Sequence, residues 1–151
     1  MEYLPSEGPT YLDFLPVRII GLLILLFFAV LFIQSGLDKV TDRKGNLDWL
    51  KGHFSKSIFG GMVPLLLSVL TLLEIASGLF SLVAGIWWML DNEMRGFWPP
   101  FVAVTLCGFT LLQLFTGQRV AKDYAGAAGI VPYFVVAIIG MAFFGFWAVE
   151  G

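Results

Sequence analysis

Cysteine and histidine are almost absent from this chain of 151 residues, which has one of each, Cys107 and His53. A single cysteine excludes an intramolecular disulfide and a CxxC thiol-exchange site. A single histidine excludes a haem with two histidine ligands, or any site of several histidines, within one chain. The sequence therefore predicts no catalytic residue, no metal site and no tightly bound cofactor.

Charge is also scarce. Only 13% of the residues are charged and 58% are hydrophobic, whereas soluble domains have about 25% charged and about 45–50% apolar residues. The net charge is −2 and the sequence has no Lys/Arg-rich patch, so we expect no nucleic-acid partner. A mean hydropathy of +0.86 indicates an integral membrane protein with short loops, surrounded by membrane lipids.

Long runs with few or no charges predict the membrane spans. An apolar stretch of about 18 or more residues is long enough to cross a bilayer as a helix. Four such spans are predicted, at about 17–38, 60–90, 97–118 and 124–149. Because most connections are short, neighbouring spans should be antiparallel, and we expect one all-α domain over 1–151, an integral membrane four-helix bundle. Pro132 lies inside the fourth run, where we favour a long kinked helix.

The connection between the first two spans is the only long one. Its apolar residues recur at helical spacing with polar residues between them, and Asn46 could cap a helix here. We expect a short amphipathic helix at about 46–57, with Trp49 as an interfacial aromatic residue. The same apolar face could instead dock against another subunit.

Lysine and arginine are distributed unevenly between the connections. Seven of the nine lie in the loops 38–58 and 119–124, and only Arg18 and Arg95 belong to the other side. Cytoplasmic loops carry the excess of these residues. The two loops are therefore predicted to be cytoplasmic and both termini to be outside.

Glu74 is the only charge between Lys56 and Asp91. A carboxylate at the centre of a membrane helix costs at least roughly 2.5–3.5 kcal/mol on insertion scales. It shares a helical face with small and hydroxyl-bearing residues, which allow membrane helices to pack closely. This face should point into the bundle, with Gly78 and Gly85 as packing positions and Ser68, Thr71, Ser77 and Ser81 as its polar groups.

The depth of Glu74 is predicted from helical rise. If the second span begins near Met62, Glu74 lies about 18 Å into it, close to the bilayer midplane. Arg18 and Lys39 lie at opposite ends of the first span, so either side chain would have to extend a long way to pair directly with Glu74. The expected hydrogen-bond partners are on the third span, at Thr105, Cys107 and Thr110.

Three interpretations of Glu74 stay open at this point. It could be protonated and act as a buried hydrogen-bond donor. It could pair with a cation from a partner chain or through water. It could also contact a quinone head group, a substrate or a transported proton.

The first two spans contain motifs typical of a known family. The first span has an arginine near its start and a glycine and a lysine near its end, as in Arg18, Gly21 and Ser35-Gly36-Leu37-Asp38-Lys39. The second has Pro64, then Leu73-Glu74-Ile75-Ala76-Ser77-Gly78-Leu79, then Gly85. With these motifs the two spans resemble the DoxX family of small four-helix membrane proteins. The resemblance implies association with membrane oxidoreductase systems, including quinone-linked enzymes and assemblies that counter oxidative stress. We expect a multi-pass protein of the bacterial inner membrane.

The leading hypothesis is an accessory membrane subunit of a bacterial respiratory or redox complex, either structural or close to a quinone. In the quinone case, Glu74 would bond the head group, with Thr71, Ser77 and Ser81 lining the pocket. Arg18, Lys39 and Trp49 are candidate contacts for partner subunits or lipid head groups, including structural lipids. The alternatives are a small proton, ion or solute carrier that uses Glu74, and a purely structural scaffold.

Overall fold

The computed structural model describes residues 14–91 and 98–150, and within them the chain is helical without strands. It forms five α-helices: α1 Leu15–Thr41, α2 Arg43–His53, α3 Val63–Leu90, α4 Trp98–Val120 and α5 Tyr124–Glu150. A 3-10 turn, Gly60–Met62, leads into α3. Four of the helices, α1, α3, α4 and α5, are long and apolar enough to cross a membrane, which confirms the predicted all-α membrane bundle.

Prolines lie where the helices tolerate them. α1 and α3 each have a proline in their first turn, where the missing N–H has no partner to lose. Pro132 lies within α5 and the helix continues through it, which confirms the predicted long helix. Phe97, the predicted start of the third span, and Arg95 are outside the described residues.

Antiparallel neighbours form the bundle. α1 packs mainly against α3, α5 mainly against α4, and the contact between α3 and α4 joins the two pairs. The core where these helices meet is built from large buried side chains, including Phe28, Phe32, Trp88 and Phe144. Many other Leu, Ile, Val and Phe side chains do not take part in this core and are exposed on the outside of the bundle.

The short helix between the first two spans begins earlier than predicted. It is α2, over Arg43–His53 instead of 46–57, and its cap is Asp42, whose Oδ1 accepts from the Gly45 N–H at 3.0 Å. Asn46, the predicted cap, lies inside α2 and donates to the carbonyls of Asp38 and Asp42. The capping prediction was wrong because Asp42 provides a carboxylate acceptor one turn earlier.

The turn between α4 and α5 has a left-handed residue. Lys122 has φ 63°, which lets the chain reverse directly after α4. Asp123 precedes α5 and caps its first turn, since its Oδ1 accepts from the Gly126 N–H at 2.8 Å. This turn and α2 lie at the same end of the bundle, because His53 contacts Gln118. We call it the basic end, for its Lys39, Arg43, Lys44, Lys51, Lys56, Arg119 and Lys122.

The helices are staggered at the basic end. Glu74 is eleven residues into α3, about 16 Å at 1.5 Å per residue. It nevertheless contacts Ser35 and Lys39, which lie in the last two turns of α1. The first part of α3 therefore extends beyond α1, and α2 packs against that extension, where Arg43 donates to Ser68 Oγ at 2.7 Å.

Candidate functional site

A buried ion pair joins α1 to α3. Lys39 Nζ lies 2.8 Å from Glu74 Oε2 and 3.1 Å from Oε1, and Ser35 Oγ donates to Oε1 at 3.0 Å. Lys39 Nζ also contacts Ser35 Oγ at 2.9 Å and its carbonyl oxygen at 3.3 Å. The Glu74 side chain is fully buried, whereas that of Lys39 is 15% exposed. None of the three interpretations of Glu74 included this arrangement, because the cation that pairs with the carboxylate comes from the same chain and contacts it directly.

This pairing corrects the expected separation of Lys39 from Glu74. Glu74 is level with the end of the uncharged run of α1, Ile19–Leu37, and not with its middle. Lys39 is therefore near enough to bond to Glu74 directly, whereas we had expected its side chain to have to extend a long way. The error came from assuming that the first two spans begin and end at the same level, whereas α3 extends past α1.

Two glycines bring α1 and α3 close enough for the pair to form. A Cβ atom at Gly36 would lie 2.6 Å from the Ile75 side chain and 3.2 Å from its backbone nitrogen. A Cβ at Gly78 would lie 2.7 Å from the backbone nitrogen of Ile33. Glycine permits this approach of two membrane helices, because no side chain separates the backbones. Gly85, the other predicted packing position, has ordinary contacts of 3.6 Å with Leu22 and Leu25.

The remaining polar groups of α3 are used in helix packing. Ser77 Oγ and Thr110 Oγ1 are 2.8 Å apart, and Ser81 Oγ lies 3.2 Å from Cys107 Sγ. Thr71 donates to the Leu67 carbonyl of its own helix. The predicted face of α3 is buried as expected, except for Ser68, which is exposed.

The polar groups predicted on α4 therefore bond elsewhere than expected. Thr110 and Cys107 meet the serines of α3 instead of Glu74. Thr105 donates to the carbonyl of Phe101 on its own helix. Thr71, Ser77 and Ser81, which we had expected to line a quinone pocket with Glu74, do not line the cavity described next.

A cavity of about 600 Å³ lies at the basic end, between α2, the first part of α3 and the last part of α4. Small-molecule sites are typically about 300–1,000 Å³, mainly apolar, with a few polar groups. Most of its walls are apolar, and among the described residues that line it Lys39 is the single Lys, Arg, Asp or Glu. Its lining residues are Lys39, Asn46, Trp49, Leu50, His53, Phe54, Phe59, Val63, Leu66, Leu67, Val69, Leu70, Leu112, Gln113, Leu114, Thr116, Gly117 and Gln118.

Polar and aromatic groups meet on the α2 side of the cavity. His53 Nε2 lies 2.8 Å from Gln118 Oε1, which ties α2 to α4. The Trp49 ring stacks on the His53 ring, with centroids 4.5 Å apart and planes 17° apart. Trp49 is 58% exposed, so it remains an accessible surface aromatic residue as well as a cavity residue. Sequence reasoning treated His53 only as an isolated histidine, because nothing in the sequence pairs it with Gln118.

Arg18 is structural and does not face lipid head groups. It is fully buried, and its guanidinium donates to the carbonyls of Trp88 at 3.1 Å, Met89 at 3.3 Å and Asp91. These carbonyls lie at the end of α3, where helical carbonyls have no partner within the helix. Trp88 Nε1 donates back to the Arg18 carbonyl at 3.0 Å. The prediction that Arg18 contacts partners or lipids was therefore wrong.

No protein-family model, curated protein or solved structure matches this chain. The resemblance to the DoxX family therefore stays a prediction. Within residues 14–91 and 98–146, no group of three or more His, Cys, Asp or Glu side chains could hold a metal ion. The candidate site is therefore defined by the cavity and the Lys39–Glu74 pair beside it.

Proposed function

We propose that the protein is an accessory membrane subunit of a bacterial quinone-linked redox complex, and that it holds a quinone head group in the cavity at the basic end. The observation that carries this proposal is the cavity itself, with its apolar walls and its few hydrogen-bond donors. The quinone site is thus moved from the Ser77–Ser81 face of α3 to the space between α2, α3 and α4.

The chemistry of a quinone matches this lining. A quinone has a flat apolar ring, two carbonyl oxygens that accept hydrogen bonds and an apolar tail that prefers lipid. Lys39 and the amide of Gln118 offer N–H donors to such oxygens. Leucine, valine and phenylalanine side chains on α2, α3 and α4 suit the ring, and the apolar outer surface of the bundle suits the tail.

An accessory role fits the distribution of chemistry in this chain. The sequence has one cysteine and one histidine, so electrons for a quinone would come from another subunit. The polar groups of α3 and α4 bond to one another, which supports a packed bundle over a carrier that needs a water path along Ser77 and Ser81. We place the cavity end in the cytoplasm on the basis of its excess of lysine and arginine.

Quinone binding is tested with the purified full-length chain in lipid nanodiscs. We expect decylubiquinone to quench tryptophan fluorescence saturably, because Trp49 lines the cavity, and Trp49→Phe to remove most of that quenching.

A matched pair of glycine variants gives the specificity control. Gly117 lines the cavity, and a Cβ there would lie 3.6 Å from Phe54, so Gly117→Leu should fill the site and abolish saturable quenching. Gly129 on α5 has open space around it, and Gly129→Leu should leave binding unchanged. Equal quenching in both variants would mean that the cavity is not the quinone site.

The accessory role needs a separate measurement. The chain should copurify in mild detergent with quinone reductase or quinol oxidase activity. That activity should fall at least about tenfold in a Gly117→Leu preparation that retains all subunits. Recovery of the chain alone, without such activity, would contradict membership of a redox complex.

A further inference from the structure

Lys39 belongs to two sites at once. Its ammonium group holds the buried carboxylate of Glu74, and its side chain also lines the cavity. Glu74 is fully buried and is not among the residues that line the cavity. Among the described residues that line the cavity, Lys39 is the one in contact with the Glu74 carboxylate, so it links a ligand there to Glu74.

The donors of Lys39 are already in use. A lysine ammonium has three N–H donors, and four acceptor atoms lie within 3.3 Å of Nζ, two on Ser35 and two on Glu74. A ligand oxygen that bonds to Lys39 must therefore take a donor from one of them. Since the pair with Glu74 supplies two of these contacts, a ligand that draws Nζ into the cavity weakens it.

Glu74 has little else to hold its charge. Besides Lys39, the described contact to its carboxylate is the hydroxyl of Ser35. A buried carboxylate that loses its cation is strongly disfavoured, and uptake of a proton removes the charge. Glu74 would then remain as a neutral hydrogen-bonded acid while Lys39 serves the ligand.

We infer that binding of a quinone carbonyl oxygen to Lys39 is coupled to the uptake of one proton by Glu74. This inference rests on the proposed quinone site. It makes quinone affinity depend on pH, because the ligand and Glu74 compete for the ammonium group of Lys39. Three other titratable side chains lie nearest: Asp38 is exposed beside Lys39 on α1, His53 of α2 lines the cavity, and Cys107 of α4 is bonded to Ser81. The remaining titratable side chains of α2 and α4 are exposed and do not line the cavity: Arg43, Lys44, Asp48, Lys51 and Arg119.

The test measures decylubiquinone affinity against pH with the same full-length chain in nanodiscs. Uptake of one proton on binding predicts that affinity falls by about tenfold per pH unit as pH rises. Glu74→Gln keeps the shape and cannot take a proton, so its affinity should not change with pH. Asp38→Asn removes a neighbouring exposed carboxylate, and His53→Gln removes the titratable ring in the cavity. Both should keep the slope of the unmodified protein.

Calorimetry gives a second readout that needs no variant. Binding heats measured in two buffers of different ionisation enthalpy count the protons exchanged, and we expect about one taken up per quinone bound. Quinone binding without proton uptake, or with the same pH slope in Glu74→Gln, would overturn the coupling and leave the quinone site standing. Absence of saturable binding in the unmodified chain would overturn both.

Discussion

Each end of α1 has a cationic side chain that contacts α3, and the two cations bind different kinds of partner. Arg18, near the start, is fully buried and donates to backbone carbonyls at the end of α3. Lys39, near the end, is partly exposed, pairs with the Glu74 carboxylate and lines a cavity. From the sequence alone, both looked like surface cations at the limits of a span.

The difference lies in what each partner can do. Backbone carbonyls at a helix end cannot take up a proton and cannot leave, so Arg18 acts as a permanent cap for α3. The Glu74 carboxylate can be neutralised by a proton, and the Lys39 ammonium can bond to a ligand that enters the cavity. Position alone therefore does not separate a structural charge from a functional one, whereas the partner and the adjacent space do.

The largest expected effect comes from removing the cation at the cavity end. Lys39→Met leaves the buried Glu74 carboxylate without its partner and should lower the free energy of unfolding by about 3–5 kcal/mol. Denaturation of the purified protein in mixed detergent micelles measures the loss.

The double variant Lys39→Met/Glu74→Gln separates charge from shape. Without the carboxylate, no buried charge is left unpaired, and most of the lost stability should return. A double variant as unstable as Lys39→Met alone would mean that Lys39 stabilises the bundle through packing and not through its charge.

The cap at the other end gives a somewhat smaller effect. Arg18→Met removes the donors to the carbonyls of Trp88, Met89 and Asp91 and should cost about 2–4 kcal/mol, measured by the same denaturation. Quinone binding should be unchanged in the folded fraction, because the cavity lies at the opposite end.

Arg43→Met is the matched control for this change. Arg43 bonds to a single exposed hydroxyl, that of Ser68, and its loss should cost less than about 1 kcal/mol. Equal losses for Arg18→Met and Arg43→Met would contradict the role of Arg18 as a buried cap.

The sequence predicted the four membrane helices well, but it did not predict how far they are shifted along one another. Long apolar runs establish four spans because a bilayer requires a minimum length, and the small residues around Glu74 establish which face of α3 is buried. The partner of Glu74 depends instead on how far α3 extends past α1, and no local pattern encodes that stagger. The cavity was missed for a similar reason, since His53 and Gln118 meet only after α2 folds back beside α4.

The close approach of α1 and α3, on which the Lys39–Glu74 pair depends, gives the smallest effect. A Cβ at Gly78 would lie 2.7 Å from the Ile33 backbone nitrogen, so Gly78→Ala must push the two helices apart and should cost about 1–3 kcal/mol. Gly85 lies two turns further along α3 and has ordinary contacts of 3.6 Å with α1, so Gly85→Ala should be within about 0.5 kcal/mol of the unmodified protein. Denaturation in mixed micelles compares the two variants, and equal costs would show that backbone approach at Gly78 does not limit the packing. Because moving α1 away also lengthens the Lys39–Glu74 contact, the Gly78→Ala cost should be smaller in a Lys39→Met/Glu74→Gln background, where no pair remains to be broken.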